Sequence, residues 1–125
     1  MQRPRVIING RELTRAQAIA IAKTDGYAPV PGRYWYDRVS GAWGLEGREA
    51  AGFLLLGYDF GPLAPNASNG NTGVFANGRE INMVEAMRIQ QTLGAVYRGR
   101  WWLDVRATTG IEGNPTAMGN IVAAL

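Results

Sequence analysis

The chain has 125 residues, the size of one ordinary domain, and can bury a core without disulfides or a structural metal. It contains no cysteine and no histidine, which removes thiol and Ser-His-Asp nucleophiles, Cys- or His-ligated zinc and a histidine pH switch. Thirteen basic residues face ten acidic ones for a net charge of +3. That small excess forms no basic run and disfavours nucleic acid as a partner.

In chain order, Val6 to Ile8, then Asn9-Gly10 and Arg11-Glu12-Leu13, predict a tight hairpin, because Asn-Gly supplies the two positive-φ residues of a type I′ turn. Thr14 and Gln17 have capping-box spacing and open a helix over about Arg15 to Thr24, stopped near Gly26. Its nearly continuous Ala and Ile content predicts close packing on a sheet with little exposed face. Pro29 and Pro31 mark a connector. An aromatic hairpin follows over Gly32 to Gly47, GRYWYDRVSGAWGLEG. Gly52 to Phe60 is apolar enough for a buried strand, with a bulge or break at Gly57. Gly61 to Gly73 is rich in Gly, Pro, Asn and Ser and predicts a loop, the most mobile segment of the chain.

The series then begins again. VFANGREIN at Val74 to Asn82 copies VIINGRELT at Val6 to Thr14, a second helix runs over about Met83 to Leu93, and GRWWLDVRATTGIEG returns at Gly99 to Gly113. The final NPTAMGNIVAAL predicts a last strand or a docking tail. The expected fold is therefore α+β, an internally duplicated unit of β-hairpin, helix and aromatic β-hairpin. Two repeats of about 6–60 and 74–122, joined by the loop 61–73, share one domain with pseudo-two-fold symmetry, since either half alone buries too little surface.

Strand alternation sorts the aromatic hairpins into faces. Tyr34 and Tyr36, matched by Trp101 and Leu103, fall on an apolar face. Arg33, Trp35 and Asp37, matched by Arg100, Trp102 and Asp104, fall on the other and form the candidate ligand-binding rows. An indole offers a flat platform, while Arg and Asp supply hydrogen bonds to a polyol, carboxylate or guanidinium. A purely structural assignment competes with it: Asp37 caps a turn, Arg33 pairs along the strand, and Trp35 packs beneath the long loop.

The stretch YWYDRVSGAWG resembles the aromatic hairpins of choline-binding cell-wall repeats and of octamer-repeat domains rich in Tyr-Tyr-Asp and Ser/Thr-Gly. That resemblance covers about eleven residues and implies a module that binds a glycan or a peptide. The expected function is accordingly non-catalytic binding of a glycan or peptide, with no cofactor and no metal. Two other classes compete with it. Asp37 with Glu46, and Asp104 with Glu112, could serve a carboxylate-dependent hydrolase. Exposed hairpin edges could instead build a homo-oligomer. The Gly-rich loop lacks the lysine of a phosphate loop. The N-terminal residues hold no apolar signal core, and no apolar run reaches the ~20 residues of a membrane helix, so a soluble chain of unspecified compartment is expected.

Overall fold

The computed structural model describes residues 5–26, 28–54 and 58–124. Strands β1 (Val6–Ile8) and β2 (Arg11–Glu12) form the first hairpin, followed by α1 (Arg15–Asp25), β3 (Gly32–Tyr36), β4 (Ala42–Leu45) and β5 (Ala50–Phe53). The same order returns as β6 (Val74–Ala76), β7 (Arg79–Glu80), α2 (Met83–Leu93), β8 (Gly99–Leu103), β9 (Thr108–Ile111) and β10 (Gly119–Asn120), ending in a 3₁₀ turn over Val122–Ala124. The class is α+β, with two helices and two five-stranded mixed sheets among the described residues.

One sheet runs β2-β1-β3-β4-β5 and the other β10-β9-β8-β6-β7, the same order read from the opposite edge. In each half the helix carries the chain between two parallel strands, as parallel neighbours require a crossover. The register repeats as well: Val6 faces Gly32 and Ile8 faces Tyr34, while Val74 faces Gly99 and Ala76 faces Trp101.

Local chemistry explains the boundaries. Both Asn-Gly turns are of the expected kind, with φ of 51° at Asn9 and Asn77 and 77° and 86° at Gly10 and Gly78. Thr14 closes a full capping box with Gln17, and Asn82 accepts from the Glu85 N–H. Left-handed glycines, Gly26 and Gly94, end the two helices.

Three expectations are corrected. Helix α1 is mostly exposed: Ile21 is its buried residue, and Ile19 stays 46% accessible. Alanines satisfy helix propensity without demanding a partner, so a high Ala/Ile content did not translate into contact. Strand β5 is shorter than the apolar run, and the break expected at Gly57 lies outside the described residues. The loop 61–73 is firmly tied. Ala67 and Ser68 are buried, the Ala67 carbonyl accepts from Gly47 N–H at 2.6 Å, and the Pro65 carbonyl accepts from Glu80 N–H at 2.8 Å. The ties to the two halves are made by backbone groups and by Ser68 and Thr72, while Asn66, Asn69 and Asn71 stay exposed.

Candidate functional site

The asparagine of each Asn-Gly turn holds its hairpin to the neighbouring aromatic strand. Asn9 donates from Nδ2 to the Tyr36 carbonyl and accepts the Tyr36 N–H at Oδ1; Asn77 does the same with Leu103. This two-way bond fixes where β3 and β8 emerge, and with them the candidate rows.

Each member of a row then has the same local role in both copies. Arg33 pairs with Glu46 at 3.0 Å and Arg100 with Glu112 at 3.2 Å, both on the surface. The Trp35 indole donates to the Arg48 carbonyl and that of Trp102 to the Asn114 carbonyl. Opposite them stand Gly44 and Gly110, and a Cβ there would come within 2.9 Å of the Trp35 indole nitrogen or 2.5 Å of the Trp102 ring. Each indole therefore lies across a glycine. Asp37 accepts the Val39 N–H, and Asp104 the N–H groups of Arg106 and Thr108, so both carboxylates cap the hairpin turn. The second turn is one residue shorter and places Ala107, not a glycine, at positive φ.

The copies differ in what lies above the row. In the first, Trp35 is 1% and Asp37 5% accessible. The Arg79 guanidinium sits 3.9 Å above the Trp35 ring, and Asn77 Nδ2 donates to Asp37 Oδ2 at 2.7 Å. The open indole expected at Trp35 is thus absent, because the turn of the second half and the loop residue Ala67 cover it. Only Arg33 of that row faces solvent. In the second copy Arg100 is exposed, and Trp102 and Asp104 are partly accessible.

Arg79 is the centre of this seam. It is buried, forms a bidentate pair with Glu85 at 2.7 and 2.9 Å, and donates to Ser68 Oγ at 2.7 Å. Asn82 adds a bond to Glu49 at 3.3 Å, and the Glu49 carboxyl is held below its usual pKa by its own backbone N–H first and by Asn82 second. The contacts run one way. Asn77 and Arg79 of the second half meet the row of the first, whereas Asn9 Nδ2 bonds the Gly61 carbonyl and the Arg11 side chain lies against Gly61. Among the described residues nothing joins Asn9 or Arg11 to Asp104 or Trp102, so the seam is head-to-tail.

The opposite faces of the sheets also repeat. A cleft of about 170 Å³ is lined by Ile8, Ile21, Val30, Tyr34, Tyr36 and Trp43, and one of about 290 Å³ by Ala76, Ile89, Tyr97, Trp101, Leu103 and Ile121. Ala76 stands where Ile8 does and Leu103 where Tyr36 does, and these smaller side chains account for the larger second cleft. Burial, followed by the charge of Asp37, pushes the Tyr36 phenol up to about 12. Burial also raises Tyr58, which donates to Asp25.

The acids proposed for hydrolysis are committed elsewhere: Glu46 and Glu112 to arginines, Asp37 and Asp104 to turns. Among the described residues no group of three or more acidic side chains could hold a metal, and no helix is long and apolar enough to cross a membrane. Sequence reasoning missed Asn77, Arg79, Glu85 and the Trp–Gly pairs. The repeated Asn-Gly-Arg-Glu was visible, but turn chemistry explained it without any contact to the other half.

What the geometry defines is a repeated α+β unit whose aromatic row accepts the turn of the next unit. The chain is 38% identical over 122 residues to the extra-large guanine nucleotide-binding protein 1 of Arabidopsis thaliana. It is 33% identical over 94 residues to the extra-large guanine nucleotide-binding protein 2 of the same plant. The first match takes in 93% of this chain and the second 73%, but only 14% and 11% of those proteins. No family model matches, so the likeness to choline-binding and octamer repeats stays confined to the hairpin. No solved structure matches.

Proposed function

We propose that this chain is a non-catalytic binding module that recognises a protein or peptide through the Arg100, Trp102 and Asp104 row. The observation that carries this is the unequal fate of the two rows: Trp35 and Asp37 are sealed by polypeptide in the first copy, while Trp102 and Asp104 stay partly accessible in the second. Polypeptide, not sugar, is what this chain already places on such a row.

Nucleotide recognition is not proposed for this segment. A phosphate loop needs Gly-Lys-Ser/Thr, and Lys23, the one lysine, follows Ala22. Selection of displayed peptides on the protein, with counter-selection on Trp102→Ala, tests the proposal. Peptides that bind the parent and lose at least tenfold in affinity on the folded variant support it. Failure to recover any Trp102-dependent peptide refutes it.

A further inference from the structure

The head-to-tail seam shows how this chain itself covers the first row. On the first row, two polar or charged groups of the second half are seated: the Arg79 guanidinium on the Trp35 ring and the Asn77 amide on Asp37 Oδ2. Both come from one Asn-Gly-Arg turn, Asn77 to Arg79. On the second row the corresponding Trp and Asp are present, on a turn one residue shorter. The Trp102 indole is anchored through its N–H and backed by Gly110, and Asp104 uses Oδ1 to cap its turn. Among the described residues no donor reaches Asp104 Oδ2, and no guanidinium lies over Trp102.

We infer that the Trp102–Asp104 face is a receptor for an arginine-bearing β-turn of a protein partner, of the Asn-Gly-Arg kind that Val74–Glu80 presents to Trp35 and Asp37. Three features favour it. A guanidinium stacks on an indole face more effectively than an ammonium, because it is planar and weakly hydrated. The free carboxylate oxygen beside the ring gives the incoming turn a charged acceptor. The fixed indole and capped turn are already ordered, so little side-chain entropy remains to be lost on binding. A second copy of this chain fits less well. In its own Asn9–Arg11 turn Gly10 and Arg11 are exposed, but the Asn9 amide spends both N–H groups on the Tyr36 and Gly61 carbonyls and has none left for Asp104.

This inference rests on the binding reading above and narrows it. The probe is a head-to-tail cyclised peptide carrying residues 72–82, TGVFANGREIN, titrated to millimolar concentration into the full chain. The readout is the Trp102 indole N–H resonance. The expected result is saturable movement of that resonance, with affinity lowered at least tenfold by Arg79→Ala in the peptide and by Asp104→Asn in the protein, and an equal loss for Trp102→Ala read by titration calorimetry, which needs no indole signal. Melting curves accompany both protein variants, and Asp104→Asn carries the test if Trp102→Ala unfolds. No movement at millimolar peptide overturns the inference, as does binding indifferent to the peptide arginine or to Asp104. Selected peptides that need Trp102 but contain no arginine overturn it while leaving the broader binding function standing; absence of any Trp102-dependent peptide removes both. Concentration-dependent self-association abolished by Arg11→Ala would make a second copy the occupant and likewise overturn it.

Discussion

Replacing Glu85 with Gln tests the seam most directly. Arg79 and Glu85 have side chains only 3% and 10% accessible, and two hydrogen bonds join them. Glutamine keeps the shape but removes the charge, leaving a guanidinium in a site too dry to solvate it. Breaking one partner of such a pair costs about 3–5 kcal/mol. Unfolding entropy near 2.1 cal/mol/K per residue makes this about 11–19 °C in Tm for a chain of this length. Circular dichroism and urea melts at neutral pH would read the loss. The double variant Arg79→Met with Glu85→Leu should melt above either single one, because it leaves no buried charge unpaired. A drop of only a few degrees in Glu85→Gln would show that water reaches the guanidinium and that the seam is looser than its geometry.

Gly110→Ala should destabilise by roughly 1–3 kcal/mol, since its methyl would meet the Trp102 ring at 2.5 Å and the Thr116 carbonyl at 2.6 Å; an unchanged urea midpoint would contradict the packing. Gly78→Val forces a β-branched residue to φ near 86° and should cost more than ~1 kcal/mol in a thermal melt, although little crowds the site. Ala76→Ile, which copies Ile8 into the larger cleft, should stabilise by about 0.5–2 kcal/mol, and a lower Tm would mean the cleft cannot accept the side chain. Tyr36 is raised to about 12 in the fold, above its ordinary value of 10.0, so its contribution is complete below pH 10 and is lost as pH climbs toward 12. Tyr36→Phe should therefore flatten the fall in Tm across that window, and an equal fall in both proteins would refute the assignment.

Much of the fold was legible because it rests on local rules. Asn-Gly dictated the turns, Thr14 with Gln17 and Asn82 with Glu85 dictated the helix starts, and recurrence of these signals in order revealed the second half. The rows were found by alternation, which assigns residues to faces but says nothing of what lies above a face. Trp35 and Trp102 each stand two residues after an arginine and two before an aspartate, with a glycine opposite, yet only one is buried, because the next unit's turn reaches only one. Arg79 illustrates the same limit. Its copy, Arg11, carries the same flanking residues but is exposed, since burial of the charge depends on Glu85, and the corresponding residue beside Arg11 is Gln17.

That last contrast decides how the two halves can be used. Glu85 orients the Arg79 guanidinium in a fixed plane and Ser68 takes a further N–H, so its two terminal nitrogens are bonded over Trp35 while the buried Nε has no hydrogen-bond partner. Arg11 has Gln17 instead, whose amide is spent on the Thr14 N–H in the capping box, and no ion pair to Arg11 exists among the described residues. A guanidinium without such support pays more desolvation on entering an aromatic seam. The first half thereby receives a turn that the second half donates. Of the many differences between the two copies, the one beside this arginine is at the third helical position, Gln17 against Glu85. Gln17→Glu should accordingly draw Arg11 into an ion pair, and a double-mutant cycle with Arg11→Ala should show coupling of about 0.2–1 kcal/mol, the range for an exposed pair. Zero coupling would mean that position 17 does not set the state of Arg11, and the asymmetry would then have to arise from the packing of Gly61 alone.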